Sequence, residues 1–327
     1  MTRKRVRRLV AGAVGVLIVA GLVGCVSDSE LVDDDAVVIG GDTASSDGGH
    51  SGTDTGRTVD SDGLPPTDVS TRRDSSSTQS DTGGGKSDTG QTTKPGKPGT
   101  FYAKSMNVQG NTRYYGYHVP SSYSGSKAWP MFIFLHGADN RTDPKQNQQA
   151  NLQYTRLKQN ADQNGYIVVS PTAPKMAYGG GMVLSWKKNR SVSDAFIMQI
   201  IKRLKSRYRI DSKRIYVAGF SSGGYYSVHL AMNYSQTFAA FAVHGAGLGS
   251  RDDFPSGAKR KIPGFLRIGA DDTMRVPQLQ DLRDRMKSAG WPASDIDYKE
   301  LSGVGHSYDA SKVNAQQWSF LSARSLP

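Results

Sequence analysis

"RIYVAGFSSGGYYSVHL", residues 214–230, says more about the fold of this chain than any other segment. It begins as a continuous apolar run, which is typical of a strand buried on both faces of a parallel sheet. From Ser222 onward its pattern favours a helix. The turn between the two, "GFSSG", has the form G-x-S-x-G centred on Ser221. Gly219 and Gly223 suit a sharp strand-to-helix turn, because a Cβ at either position would clash where the backbone folds back.

Other buried strands alternate with amphipathic helical segments along the chain. This alternation predicts an α/β fold with a mainly parallel central sheet and helices on both faces. The segments between strands are too short for a large lid. We also expect one helix over residues 152–165, a loop over 172–191, and a helix capped by Asp194. The clearest strand candidates are "WPMFIFLHGAD" (129–139), "YIVVSP" (166–171), "FAAFAVHGAG" (238–247) and "GFLRIGADD" (264–272).

The N-terminal segment has the features of an export signal over residues 1–24. The basic "MTRKRVRR" precedes an uncharged apolar run, residues 9–24, that ends at Cys25. "LVGC", residues 22–25, resembles the bacterial lipoprotein lipobox, in which the cysteine becomes lipidated. We therefore expect an exported lipoprotein anchored in the cell envelope or at the cell surface. A transmembrane anchor remains the alternative, because the run is marginal in length for a membrane span.

Residues 25–99 are rich in Ser, Thr, Asp and Gly, which predicts a disordered linker after the lipidated cysteine. Residues 100–327 are expected to form one domain. Counted over residues 101–327, this part has 30 Lys and Arg against 15 Asp and Glu. The basic charge favours an anionic polymer or cell surface as a partner, and it equally fits simple solubility. No nucleic-acid-reading motif accompanies the charge, so we expect no nucleic-acid partner.

Ser221 is the predicted nucleophile, and a serine needs a base. Of the domain's histidines, His306 in "GVGHSY" follows every other candidate, in keeping with the chain order Ser, acid, His on such sheets. The acid should follow the strand "GFLRI", where Asp271 and Asp272 both qualify. It would hold the imidazole in the correct tautomer.

The oxyanion of such a reaction needs backbone N–H donors. Ser222, at the start of the helix, and Ala138, in the loop "FLHGAD", are the expected donors. His136 and His244 follow strands and are candidates for bracing a loop or lining the pocket. No cluster with metal-ligand spacing occurs, and neither metal nor cofactor is expected.

Together these features resemble the α/β-hydrolase superfamily. Within it, the chain is similar to the polyhydroxybutyrate depolymerase and feruloyl esterase group, which is related to carbohydrate esterase family 1. The resemblance covers most of residues 104–308. The motifs that carry it are "GNTRYYGYHVPSSY" (110–123), "FIFLHGA" (132–138), "SDAFIMQIIKRLKSRYRIDSKRIYVAGFSSGG" (193–224), "GADDTMRVP" (269–277) and "GVGHSY" (303–308).

By this resemblance the triad is Ser221, Asp272 and His306, because the family's acid falls three residues after a glycine that corresponds to Gly269. Near the acid, the chain departs from the family pattern at two points. Ile268 replaces the histidine before that glycine, and one extra residue separates Asp272 from "VP", which keeps Asp271 in consideration. The resemblance also places Trp186 near the pocket, as a substrate contact or as ordinary core.

These features predict a serine esterase that acts on carboxylic esters without a cofactor. The resemblance implies two substrate classes, polyester oligomers and feruloyl or acetyl esters on polysaccharide. An acyltransferase or a peptidase on the same scaffold is the alternative within enzymes. A catalytically silent surface binding domain is the alternative outside them.

Overall fold

A computed structural model describes residues 96–178, 180–188, 190–249 and 258–327. The predicted signal peptide, Cys25 and nearly all of the predicted linker lie outside these ranges. Among the described helices, none combines the length and the apolar character that crossing a bilayer requires.

Eight of the described strands form one twisted sheet in the order β1-β2-β4-β3-β7-β8-β9-β10, and β5 and β6 form a separate hairpin. The first two strands pair antiparallel, and β2 is antiparallel to β4. Every pair from β4 to β10 is parallel. The strands are β1 (Gly99–Val108), β2 (Asn111–Val119), β3 (Trp129–Leu135), β4 (Ile167–Pro171), β5 (Lys175–Tyr178), β6 (Gly181–Leu184), β7 (Ile210–Phe220), β8 (Ala240–His244), β9 (Gly264–Gly269) and β10 (Ile296–Leu301).

Helices cover both faces of this sheet. Apolar residues of α3, α4 and α5 belong to one buried cluster, and those of α1, α2 and α6 belong to a second. The prediction of a mainly parallel sheet between two helical layers is confirmed. The helices are α1 (Pro144–Tyr154), α2 (Leu157–Asn164), α3 (Arg190–Lys205), α4 (Ser222–Asn233), α5 (Val276–Ser288) and α6 (Ala310–Ser322).

Both faces of the central strands are covered, and β3 is apolar along its whole length. All seven residues of β3 are buried. Met131 and Ile133 pack into the cluster under α3 and α4, whereas Phe132 and Phe134 pack into the opposite cluster. Successive side chains of a strand point to opposite faces, so a strand between two layers needs apolar residues at every position.

The parallel register brings the carboxyl ends of the central strands to one edge. Leu135, the last residue of β3, pairs with Gly219 of β7. Phe220, the last residue of β7, pairs with His244 at the end of β8. Loops that follow these strands therefore meet at the same edge, where ligands of open α/β sheets bind.

The prediction of a single helix over residues 152–165 is wrong. The chain forms two helices that break at Thr155 and Arg156, and Arg156 takes the left-handed conformation with φ of 52°. The first helix begins earlier than expected, at Pro144, with the side chain of Asp143 as its N-cap. Its buried face is polar, with Asn147 among the buried residues, so it lacks the apolar stripe that identifies most helices in a sequence.

Two smaller expectations are also wrong. The loop expected over residues 172–191 contains the β5–β6 hairpin. Asp194 does not cap a helix, because α3 begins four residues earlier and includes it. Its carboxylate instead accepts hydrogen bonds from the hydroxyls of Tyr226 (2.6 Å) and Tyr234 (3.2 Å) and pairs with His229 (3.0 Å). This buried network ties α3 to α4.

Candidate active site

Ser221 occupies the apex of the turn between β7 and α4. Its backbone has φ of 51° and ψ of −122°, a region that is costly for a residue with a side chain. A Cβ at Gly219 would lie 2.0 Å from the carbonyl oxygen of Gly223, and one at Gly223 would lie 2.1 Å from that of Leu135. The turn therefore depends on glycine at both positions, and it holds the serine in one orientation at the sheet edge.

The structure brings Ser221, His306 and Asp272 together in one hydrogen-bonded chain. His306 Nε2 lies 3.0 Å from Ser221 Oγ, and His306 Nδ1 lies 2.6 Å from Asp272 Oδ2. The three residues come from the β7–α4 turn, the loop after β10 and the turn after β9, separated by 85 and 34 positions in sequence. Asp271, the alternative acid, is exposed to solvent instead.

The buried carboxylate of Asp272 is held in its charged form. Burial by itself would raise its pKa, but the hydrogen bond and charge of His306 together with the cation of Arg275 outweigh burial, and the pKa is lowered. An ionised carboxylate only accepts hydrogen bonds, so His306 Nδ1 is the donor between them. In the neutral imidazole Nε2 is then the acceptor, and it faces the Ser221 hydroxyl.

The imidazole of His306 is held from both sides. The ring of Phe220 lies 4.9 Å away, centroid to centroid. Gly245, which follows β8, approaches so closely that a Cβ there would lie 3.2 Å from His306 Cε1. The backbone N–H of Ser221 donates to the carbonyl oxygen of His244 at 2.9 Å. The end of β8 thus fixes both the serine and the ring.

The residues that carry the two expected donor amides lie close to Ser221 along the chain or across the loop after β3. A Cβ at Gly137 would lie 3.3 Å from Ser221 Cβ, so the loop after β3 runs past the serine side chain and carries Ala138 with it. Ser222 is the first residue of α4, where an N–H has no partner within the helix. These are the two amides expected from the sequence.

The hydroxyl of Ser222 has a separate structural role. It accepts a hydrogen bond from the backbone N–H of Trp186 at 2.9 Å, and it lies 2.9 Å from the Ser185 hydroxyl. Trp186 Nε1 in turn donates to the carbonyl oxygen of His136 at 3.0 Å, and the indole stacks on Tyr226 at 5.0 Å. These contacts tie the segment after β6 to the turn between β7 and α4, which we call the elbow, and to the loop after β3.

For His136 and Trp186, burial favours the bracing and core alternatives over contact with a substrate. They are 4% and 1% exposed. His136 Nδ1 donates to the carbonyl oxygen of Gly137 at 2.5 Å, and its Nε2 accepts from the Ala173 N–H at 3.0 Å. Burial lowers the pKa of His136, which keeps the ring neutral, as this donor and acceptor pattern requires. Both side chains brace the loop that carries Ala138.

His244 is likewise part of the interior rather than of a substrate-contacting surface. It is 3% exposed, and its Nε2 lies 2.5 Å from Gln317 Oε1 on α6. Burial lowers its pKa to about 3. Its ring packs at 4.7 Å from Tyr308, and it contributes to the site through its backbone carbonyl.

Arg275 belongs to the site and was not anticipated. Its Nη1 donates to Asp272 Oδ1 at 3.1 Å, on the opposite oxygen from His306. The only hint in the sequence is a basic residue three positions after the acid. No set of three His, Cys, Asp or Glu side chains in the described ranges is arranged to hold a metal ion.

Comparisons with known proteins place the chain among esterases. Residues 114–316 match the family model described as Esterase PHB depolymerase. A bifunctional acetylxylan esterase/xylanase of Neocallimastix patriciarum is 32% identical over 179 residues, which are 53% of this chain and 23% of that protein. Feruloyl esterase B of Neurospora crassa is 30% identical over 136 residues, 41% of this chain and 44% of the other. The chain thus spans less than half the length of these curated relatives.

Solved structures share the fold at low identity. A thermostable esterase superposes with a TM-score of 0.54 at 20% identity, covering 69% of this chain and 63% of that one. A mutant of the feruloyl esterase module from Clostridium thermocellum, complexed with sinapinate, gives 0.51 at 15% identity over 69% and 87% of the two chains. The matched family segment contains Ser221, Asp272 and His306, and the chain belongs to the esterase PHB depolymerase family.

Proposed function

We propose that the protein is an exported, lipid-anchored serine esterase with Ser221 as nucleophile, His306 as general base and Asp272 as the acid that orients it. The observation that carries this proposal is the hydrogen-bonded chain from Asp272 through His306 to Ser221, at 2.6 and 3.0 Å. His306 Nε2 is close enough to Ser221 Oγ to take its proton, and Asp272 orients the imidazole. Family membership supports ester hydrolysis as the reaction.

The proposed reaction proceeds in two halves. Ser221 Oγ attacks the ester carbonyl carbon while its proton passes to His306 Nε2, and the carbonyl oxygen becomes an oxyanion held by the N–H groups of Ala138 and Ser222. The intermediate collapses, the C–O bond to the alcohol breaks, and the alcohol leaves with the proton from Nε2. Water, deprotonated by His306, then attacks the acyl-serine and releases the carboxylic acid.

Asp272 contributes by stabilising the imidazolium that forms in each half. Its carboxylate is ionised and buried, and its charge lies 2.6 Å from the protonated Nδ1. Charge-assisted hydrogen bonds of this length are about twice as strong as neutral ones. The same bond keeps Nε2 aimed at Ser221 between turnovers.

We propose acetyl or feruloyl esters on polysaccharide as the substrate class. Two observations support this choice: the named activities of the curated relatives and the excess of Lys and Arg in residues 101–327, which favours an acidic polymer. The family description favours polyester oligomers as the second candidate.

The test is a panel of acetyl-xylan, feruloyl and hydroxybutyrate esters assayed with the wild type, Ser221→Ala and Ser302→Ala. Ser302 is an exposed loop serine after β10 and serves as the matched control. We expect hydrolysis by the wild type and the control and none by Ser221→Ala. Equal rates for all three proteins, or no hydrolysis of any ester, would reject the esterase proposal. Transfer of the acyl group to an added alcohol without net hydrolysis would favour an acyltransferase.

Membrane attachment is a separate proposal that rests on the sequence around Cys25. Cys25→Ala should abolish incorporation of a radiolabelled fatty acid and release the protein from the membrane fraction, or block its processing. A wild type that associates with the membrane without incorporating the fatty acid would favour the transmembrane anchor.

A further inference from the structure

Arg275 is a buried cation beside the proposed acid. The side chains of Arg275 and Asp272 are 8% and 3% exposed, and the guanidinium Nη1 lies 3.1 Å from Asp272 Oδ1. The other carboxylate oxygen, Oδ2, binds His306 Nδ1 at 2.6 Å. Each oxygen therefore has its own cationic or N–H partner, and the carboxylate plane is fixed by two contacts on opposite sides.

The position of Arg275 is unfavourable for the helix that follows. Arg275 is the N-cap residue of α5, it provides no side-chain cap, and the first turn of the helix has no acidic residue. A helix N-terminus carries partial positive charge and favours anions, so a cation there is destabilising. The carboxylate of Asp272, 3.1 Å from the guanidinium, offsets this cost. The backbone amides of Arg275 and Val276 also bond to the Asp272 carbonyl oxygen, each at 3.0 Å.

The turn between β9 and α5 brings Arg275 back to Asp272. The backbone N–H of Arg275 donates to the Asp272 carbonyl oxygen at 3.0 Å, across the intervening Thr273 and Met274. This turn places the guanidinium where it reaches the carboxylate.

From this geometry we propose that Arg275 is a positioning residue, which orients Asp272 toward His306 and places a fixed positive charge beside the pair. The inference rests on the proposed function of the site. A fixed positive charge next to the pair opposes binding of a further proton, so it extends activity toward acid.

The charged and titratable neighbours of this pair are few in the described part of the chain. From the turn after β9 they are Arg275 and the exposed Asp271. From α4, Tyr225 points to α5, where its hydroxyl donates to Gln278. From β8, His244 is neutral because its pKa is lowered by burial. None of these places a second cation on Asp272.

The experiment compares kcat/KM against pH for the wild type, Arg275→Gln, Arg275→Lys and Arg267→Gln. Arg267 is the matched control, a buried arginine on β9 that pairs with Asp297 at 2.9 Å. In Arg275→Gln we expect the acid limb of the profile to move up by about one pH unit and kcat to fall roughly tenfold. Arg275→Lys should keep the wild-type limb, and Arg267→Gln should lower only thermal stability.

A double-mutant cycle separates positioning from general stability. If Arg275 acts through Asp272, Arg275→Gln should cause no further loss of kcat in an Asp272→Asn background. An equal loss in both backgrounds, or an unmoved acid limb in a folded Arg275→Gln variant, would overturn the inference. If Arg275→Gln does not fold, the test rests on Arg275→Lys, which keeps the charge. An acid limb that moves to higher pH in Arg275→Lys would then overturn the inference. A wild type that is inactive and unlabelled by a fluorophosphonate would reject the proposed function instead.

Discussion

Asp272→Asn tests the tautomer argument directly, because the structure dictates how the new amide must lie. Arg275 donates to the Oδ1 position and has no acceptor, so the oxygen of the new side-chain amide would turn toward the guanidinium. The NH₂ group would then face His306 Nδ1, which must become an acceptor. The imidazole proton would move to Nε2, and Nε2 could no longer take the proton of Ser221.

The expected loss is large. In a serine triad, replacing the acid by its amide lowers kcat by about 10⁴, which corresponds to roughly 5.5 kcal/mol of transition-state stabilisation. The substitution also removes the carboxylate charge that lies 3.1 Å from the buried Arg275 guanidinium, at a cost of about 3 kcal/mol or more in the free energy of unfolding. Activity and stability should therefore both fall, and activity should fall far more.

The assay is the kcat for p-nitrophenyl acetate, measured with the urea-unfolding free energy of each variant. Asp271→Asn is the matched control, since it makes the same change in an exposed neighbour. We expect wild-type rates from the control. Retention of more than about a tenth of the wild-type kcat by a folded Asp272→Asn protein would refute the tautomer reasoning. A comparable loss in Asp271→Asn would refute the assignment of the acid.

Three further predictions concern the scaffold of the site. Gly219→Ala places a Cβ 2.0 Å from the carbonyl oxygen of Gly223. Urea unfolding should show a loss of more than about 4 kcal/mol in the free energy of unfolding, and near wild-type stability would contradict the geometry of the turn. Ser222→Ala removes the acceptor of the Trp186 N–H and should lower Tm by roughly 3 to 8 °C while activity persists, since the backbone amide remains. His244 has a pKa lowered to about 3, so the unfolding free energy should decrease as pH falls from about 6.5 toward 3, and His244→Gln should flatten this slope.

The central sheet could be predicted because its signal is local. β3 is a continuous apolar run, and so is the second half of β7, from Ile215 to Gly219; their burial on both faces follows from that composition. The turn between β7 and α4 could be predicted as well, since backbone contacts close to the turn require glycine at positions 219 and 223. These features need little knowledge of distant segments.

The first helix could not be predicted because its stabilising partners are distant in sequence. Its buried side chains are amides that bond to other elements: Asn147 to Asp139, Gln148 to Thr172 and Asn151 to Ser170. Buried polar groups of this kind are satisfied only by tertiary structure. A sequence pattern based on apolar spacing therefore misses the helix, although the Asp-Pro pair at its start is a recognisable N-terminal signal.

The site was only partly predictable for the same reason. The serine, the acid and the histidine follow from chain order and local motifs, but the burial of His136, Trp186 and His244 depends on packing between elements. Whether an aromatic or imidazole side chain near a pocket faces the substrate or the core is decided by a rotation of the side chain that the sequence does not encode locally. Arg275 was missed because a basic residue at a helix start resembles an ordinary surface position.

Covalent labelling of the intact protein by a fluorophosphonate identifies the nucleophile itself. The tryptic peptide of residues 215–251 contains both Ser221 and Ser222, and fragment masses distinguish them. We expect one phosphonyl group on Ser221 in the wild type and a strong loss of labelling in His306→Ala. Labelling at Ser222 or at another serine, or undiminished labelling of Ser221 without His306, would contradict the proposed triad.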